Sequence, residues 1–434
     1  NLLDWADQNN IAVIPYGGGS SVCGGVETYV GDDYSGVISL DLRNLDKVLE
    51  IDKESRAARI QAGIFGPALE DELRKSDLTL RHFPQSFEHS TLGGWIATRS
   101  GGHFATLYTH IDDFVESTTM VTPTGVIESR RLPGSGAGPS PDRMVIGSEG
   151  ILGVITEAWM RLQNRPIFRS SCSVEFDDYQ KALNATRLIS QSGLYPANCR
   201  LLDANEALFN GAGDGSKHLL ILSFESADHE LGTWLDRALE IASSAGGSYE
   251  KPQEKEPEAH RTGASGTWRN SFIRAPFNRD AAVRRGIIWD TFETSITWDH
   301  GFEFIESLKE KTRKAIHEIS GREPNVTCRL THTYPDGCAP YFSYTAYATP
   351  STMLDVWKQI KIATNEMVVA EGGTITHHHA VGRDHRVKGY DVQIPSGFKD
   401  MLTAAKSSVD PRSIMNPGVL IDSGKGKIGH WMEN

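Results

Sequence analysis

The sequence lacks most signals that would settle a function at a glance. Its five cysteines are an odd number, and no Cys-x-x-Cys pair occurs among them. That argues against a disulfide framework and a thiolate zinc site and suits a reducing intracellular compartment. Positive charge is in deficit, with a net charge of -12, which sets nucleic acid aside as a main partner. No apolar run reaches the about 18 residues of a membrane-spanning helix; a peripheral membrane contact stays open. No Gly-Lys-Ser/Thr follows a glycine-rich loop, so a Walker phosphate loop is absent. No internal repeat or low-complexity tract is visible. The chain opens on Asn1, inside a helical pattern (Leu2-Leu3-Asp4-Trp5-Ala6), and reads as a fragment, so any N-terminal targeting signal would lie outside it.

What is present begins with length: 434 residues predict two or more domains. Ile11 to Pro15 reads as a buried strand that runs into the loop Tyr16-Gly17-Gly18-Gly19-Ser20-Ser21. Further strands are expected at Val37–Leu42 and Ala57–Gly63, a helix at Pro67–Lys75, and a hairpin from Val115–Val121 to Gly125–Glu128. Phe83 to Gly102, rich in Gly, Ser, Thr and His, reads as irregular backbone. After Pro166 strands (Ser171–Phe176, Leu219–Glu225) alternate with amphipathic helices (Tyr179–Ser192, His229–Ala245, Ile305–Ser320, Met353–Ala370, Pro395–Ser408). That order predicts an α+β layer of ferredoxin-like type. Gln253 to Ser265 is charged and reads as a surface loop.

Three glycine-rich segments precede this layer: Gly17-Gly18-Gly19, the run Thr91 to Gly102, and Gly147-Ser148-Glu149-Gly150. Backbone without Cβ can turn its N–H groups toward a pyrophosphate. The residues alone point to a dinucleotide-like ligand and do not choose among such ligands; a plain tight turn remains the alternative for Gly17-Gly18-Gly19 taken alone. Three consecutive histidines, His377-His378-His379, lie between Gly372-Gly373 and Gly382. Imidazole titrates near neutrality and suits proton transfer or metal binding. In a strand, His377 and His379 would share one face and His378 the other. Adjacent imidazoles cannot all point at one ion and no thiolate assists, so no metal site is expected. A gathering of His332, His377 and His379 is the arrangement that would overturn this. Without further context Tyr341 reads as a buried strand tyrosine, and Arg200 and Arg279 as ion-pair partners.

Pro15-Tyr16-Gly17-Gly18-Gly19-Ser20-Ser21, the run Gln85-Ser86-Phe87-Glu88-His89-Ser90-Thr91-Leu92-Gly93-Gly94, and Ile146-Gly147-Ser148-Glu149-Gly150-Ile151-Leu152-Gly153-Val154-Ile155-Thr156 resemble the FAD-binding domain of the vanillyl-alcohol oxidase superfamily. The resemblance implies an FAD-binding domain over 1–165, a substrate-binding α+β cap over 166–385 and a C-terminal segment, 386–434, returning to the FAD domain. It implies that FAD is held by Pro15 to Ser21, by Gln85, Ser86, His89, Ser90, Thr91 and Gly94, by Thr98, Arg99, Ser100 and Gly101, and by Glu149, Gly150, Gly153, Val154 and Ile155.

Cys199-Arg200-Leu201-Leu202-Asp203, Arg279-Asp280, Phe292-Glu293-Thr294-Ser295, Cys328-Arg329-Leu330-Thr331-His332-Thr333-Tyr334, Tyr341-Phe342 and the histidine triplet are similar to the alkylglycerone-phosphate synthase family over nearly the whole chain. That family exchanges the acyl group of acyl-dihydroxyacetone phosphate for a long-chain alcohol, with no net electron transfer. By resemblance, Tyr341, His377, His378 and His379 are catalytic, and Arg279, Arg200 and Thr291 contact the substrate or support the site. A homodimer is expected, in the cytoplasm or at a membrane surface in a bacterium and in the peroxisome in a eukaryote. Thr291 stands where the family has serine, Ala339 where it has cysteine, and Ala380 where it has glycine. Met415-Asn416-Pro417-Gly418 is closer to the relatives that oxidise lactate and glycolate. An FAD-linked oxidase or dehydrogenase of a 2-hydroxy acid is therefore the alternative.

Overall fold

The computed structural model describes residues 1–104, 106–250, 279, 281–422 and 432; the stretch expected as a loop at 253–265 lies outside them. The chain divides into two compact units. The first is Asn1–Gly101, His110–Asn164 and His378–Asn434; the second is Gly102–Thr109 and Arg165–His377. The expected boundaries at 165/166 and 385/386 thus shift, the second into the histidine triplet. The cause is local bonding. Beyond His377, the N–H groups of Val381 and Gly382 donate to Glu149, and that of Arg383 donates to the Cys23 carbonyl. Gly102–Thr109 joins the second unit because His332 binds the Gly102 carbonyl and Arg200 the His103 carbonyl.

In the first unit, helix α1 (Leu2–Gln8) precedes strand β1 (Ile11–Tyr16), which pairs in parallel with β2 (Gly36–Asp41). Leu3, Ala6, Val13, Val154, Ile414 and Met415 form a core there, so the C-terminal turn is tied to the first strand. A five-stranded antiparallel sheet joins β3 (Val48–Asp52), β4 (Ala57–Gln61), β5 (Val115–Thr122), β6 (Gly125–Glu128) and β7 (Val154–Arg161) in the order β3-β4-β7-β5-β6. The β5–β6 hairpin turns at Pro123-Thr124, as the sequence predicts. Helix α2 spans Gly66–Arg74. The stretch expected to be irregular contains helix α3 (Leu92–Thr98). Its apolar spacing, Leu92, Trp95 and Ile96, all buried, is a one-sided helical pattern that the surrounding Gly and Ser hid.

The second unit is built twice from one plan, a repeat not visible in the sequence. Strand β8 (Phe168–Phe176), helix α4 (Tyr179–Ser190), strand β9 (Asn198–Leu202), the short α5 (Ala204–Phe209), strand β10 (His218–Ser226) and helix α6 (Gly232–Ser244) form one half. Strand β11 (Ile287–Glu293), helix α7 (Gly301–Ser320), strands β12 (Asn325–Thr333) and β13 (Gly337–Tyr347) and helix α8 (Met353–Ala370) form the other. In each half the third strand lies between the first two and antiparallel to both. This is the split β-α-β unit of ferredoxin-like folds. The sheet order is β8-β10-β9-β12-β13-β11. The halves meet where β9 and β12 share the single register pair Leu202–Arg329.

Alternation sorts this sheet into two faces. Cys199, Leu201, Leu220, Leu222, Phe292, Cys328, Leu330 and Phe342 join the core formed with α4, α6, α7 and α8. Arg200, Arg329, Tyr341, Thr291 and Glu293 fall on the opposite face, as the register pairs Arg329–Tyr341 and Tyr341–Glu293 require. Helix α8 is capped at Glu371, and Gly372 follows with φ 85°. Gly372 N–H donates to the Val369 carbonyl and Gly373 N–H to that of Val368, the glycine stop the sequence predicts. All five cysteines are buried, and none forms a disulfide.

Candidate active site

The first unit gathers the glycine-rich segments around the end of β1. A Cβ on Gly17 would come within 2.2 Å of Thr91 Oγ1, and one on Gly18 within 1.8 Å of the His89 carbonyl oxygen. Only glycine allows the loop to lie that close to the His89–Thr91 backbone. Tyr16 Oη lies close over Gly19, and Pro15 packs under Gly150. Among the described residues, the N–H groups of Gly17, Gly18, Gly19 and Ser20 have no protein acceptor. Ser21 Oγ instead accepts from the Gly25 N–H at 3.0 Å. Unsatisfied amides on a half-exposed, Cβ-free loop form an anion-binding concavity, and this chemistry fits the pyrophosphate of FAD.

The neighbouring predicted residues divide. Ser90 Oγ accepts from Trp95 Nε1 at 2.6 Å and donates to the Ser86 carbonyl at 2.8 Å, which locks the 85–94 run. Thr91 caps α3, and Thr98 Oγ1 donates back to the Gly94 carbonyl. Ser100 Oγ meets His82 Nε2 at 2.8 Å, and Gly101 bridges to His110. The Arg99 side chain turns to the Asp112 carboxylate at 2.8 Å. Gly153, Val154 and Ile155 enter β7 against β5, with Val154 and Ile155 buried. Gln85 and His89 stay partly and largely exposed respectively.

The histidine triplet is not a strand. Residues 374–382 lie outside helix and strand, with His377–His379 in bends, so the expected alternation fails, and the His378 and His379 rings sit side by side with centroids 4.7 Å apart. His378 lies within electrostatic range of His82 and His110 in the same unit. Burial, aided by these neighbouring imidazoles, pushes the His82 pKa down to about 3, so His82 is neutral at working pH.

In the second unit Tyr341 Oη donates to Thr291 Oγ1 at 3.1 Å. The Arg329 guanidinium lies over the tyrosine ring, 3.9 Å from its centroid. Burial raises the phenol pKa, and Arg329 offsets this in part. Arg329 is itself paired with the buried Glu206, which also accepts from Thr327. Arg200 donates to Asn198 Oδ1 at 2.9 Å and to the His103 carbonyl at 2.6 Å. Burial, then Arg329, lowers its pKa to about 9, so it stays cationic near neutrality.

Arg279 donates to Asp290 Oδ1 at 2.8 Å and remains 40% exposed. Asp290 also takes Lys361, Trp357 and Tyr344. Burial alone would raise its pKa, but Lys361 and Arg279 hold it well below the usual carboxylate range. By alternation Asp290 faces opposite to Thr291, so Tyr341 and Thr291 come together while Arg279 is anchored on the other face of this edge strand. His377 Nε2 and Tyr334 Oη lie 2.7 Å apart, and the His377 and His332 ring centroids 4.9 Å. Arg329, Glu206 and Glu293 were given no role from the sequence; the register partnership of β12 and β13 is the signal that places Arg329 against Tyr341.

Two family models match. The FAD binding domain covers residues 1–129, and the C-terminal domain of FAD linked oxidases covers residues 165–420. The alkyldihydroxyacetonephosphate synthase of Dictyostelium discoideum is 30% identical over 97% of this chain and 71% of that protein. That of Trypanosoma brucei brucei is 28% identical over the same shares. A solved alkyldihydroxyacetonephosphate synthase structure superposes with a TM-score of 0.76 at 27% identity, covering 96% of this chain and 73% of that one. The chain therefore belongs to the FAD-linked oxidase family: it is an FAD enzyme with an FAD-binding domain and an α+β C-terminal domain. Within that family it is an enzyme of alkyldihydroxyacetonephosphate synthase type.

Proposed function

We propose that the protein exchanges the acyl group of acyl-dihydroxyacetone phosphate for a long-chain alcohol. The exchange breaks the carbon–oxygen bond to a leaving fatty carboxylate and forms one to the alcohol oxygen. The alcohol proton is released, and carbon ends in the oxidation state in which it began. Bound FAD, held by the Gly17–Ser20 amides, would supply the reactive flavin ring. The observation that carries the reading is Tyr341: a buried phenol, protonated at neutral pH, hydrogen-bonded to Thr291. Such a group can lend a proton and take it back. His378 and His379, side by side, suit acceptance of the alcohol proton. The substrate phosphate calls for fixed positive charge; Arg200, on the same sheet face as Tyr341, carries it, whereas Arg279 is anchored to Asp290 on the other face.

The test is an anaerobic flavin spectrum, first with acyl-dihydroxyacetone phosphate and then with long-chain alcohol, with products read by mass spectrometry. A spectral change reversed by the alcohol, with an ether product, supports the exchange. Bleaching by D-lactate or glycolate, with no response to the acyl phosphate, would instead make the protein a 2-hydroxy-acid oxidoreductase. Tyr341→Phe is expected to lower turnover by about 100-fold or more with FAD retained; unchanged turnover would remove its assigned role.

A further inference from the structure

We infer that two buried carboxylates, Glu149 and Glu293, are positioning residues that fix the backbone on either side of the histidine triplet. The inference rests on the reading that the triplet handles protons. Residues 374–382 belong to no helix or strand. Proton transfer nonetheless needs imidazoles held to a fraction of an ångström. Glu149 Oε1 accepts from the Val381 N–H at 2.9 Å and Oε2 from the Gly382 N–H at 2.8 Å. Both of its oxygens are thus engaged with protein amides, although the sequence groups this residue with the cofactor contacts.

Glu149 is firmly held. Its N–H donates to the Ala97 carbonyl at 2.9 Å, and its own carbonyl accepts from Asn416 Nδ2 at 2.6 Å. Its backbone is left-handed, φ 49°, a conformation that persists in a non-glycine residue when the surroundings over-determine it. On the other side, Glu293 accepts from Thr376 Oγ1 at 2.5 Å, and the His377 N–H is 2.9 Å from each of its carboxylate oxygens. N–H groups donating to carboxylates are among the stronger hydrogen bonds. The clamped amides bracket the imidazoles of His378 and His379, and the Cys23 thiol adds a bond to the His379 carbonyl at 3.2 Å.

The test uses the full, FAD-loaded chain without substrate, so it is independent of which reaction is catalysed. Amide hydrogen exchange is followed by mass spectrometry in peptides covering 376–385. In Glu149→Gln, which keeps one acceptor oxygen, exchange at Val381 and Gly382 should rise at least tenfold while flavin content equals that of the parent. Glu293→Gln should do the same at His377. Glu149→Asp, one methylene shorter, serves as a second variant and should show a smaller rise at the same amides. Kinetically, Glu149→Gln should lower kcat and leave the KM for the acyl phosphate unchanged. The double variant with His378→Ala should be no slower than His378→Ala alone. Unchanged exchange in the folded variants would overturn the inference. Loss of flavin from Glu149→Gln without faster exchange would also overturn it and return Glu149 to the cofactor site. Faster exchange in a protein that makes no ether product would keep the clamp and remove the proposed reaction.

Discussion

The first unit offers its ligand backbone, whereas the second offers side chains. At Gly17–Gly19 the available groups are N–H donors on a loop pressed against His89 and Thr91, and the essential feature is the absence of a Cβ. On the polar face of the second unit's sheet, Arg329 stacks on Tyr341, Tyr341 donates to Thr291, and Glu293 accepts from Thr376 and His377. A backbone site fails when something is added to it. A side-chain lattice fails when something is taken away.

The most severe test of that contrast is addition at the loop. Gly18→Val would drive side-chain atoms into the His89 carbonyl, and the purified protein is expected to carry no FAD, read as flavin absorbance per chain. Retained flavin would show that the loop can move and that the cradle is not built by close approach. Subtraction comes next. Arg329→Met leaves Glu206 buried without its cation, and urea denaturation should show a loss of about 3–5 kcal/mol. A loss under 1 kcal/mol would mean that Glu206 finds another partner.

A smaller effect comes from His82, a side chain buried in the first unit. Its folded pKa, about 3, lies below the ordinary 6.5 because burial disfavours the imidazolium. The unfolded chain therefore takes up the proton first. The stability His82 contributes is complete above pH 6.5 and is lost as pH falls toward 3. By pH 4 the parent should have lost about 3 kcal/mol relative to a His82→Gln variant, measured by denaturation across pH. Parallel curves for the two proteins would show that His82 does not titrate this way. The smallest effect is expected from Thr291→Ser, which keeps the hydroxyl beside Tyr341: turnover should stay within a few-fold of the parent. A large loss would mean that the methyl group, and not the hydroxyl, is what Tyr341 uses.

Sequence legibility followed the physics of exposure. The helices at Tyr179–Ser190 and Met353–Ala370 have one wet face and show it as spacing. Strands β12 and β13 are buried on both faces over most of their length, so no alternation marks them; Tyr341 reads as a buried strand residue, and only its chemical role came through resemblance. Glycine content concealed α3, and the histidine run suggested a strand where bends occur. Glu149 was visible as a residue of a glycine-rich turn, yet its partners lie more than two hundred positions away, a distance over which one sequence carries no signal.

The seam between the two halves of the second unit bears on the order of assembly. Within each half, every strand finds its neighbour across a short stretch of chain, whereas the Leu202–Arg329 pairing must close a much longer loop. Side chains rather than a long ladder complete that seam: Asp203 accepts from the Cys328 N–H and from Lys309 at 2.9 Å each, and Glu206 holds Arg329. Short-range contacts form early and long-range ones late. Each half is thus expected to take shape as its own nucleus and to dock last along this line, so that the stacking of Arg329 on Tyr341 is among the final contacts the chain makes.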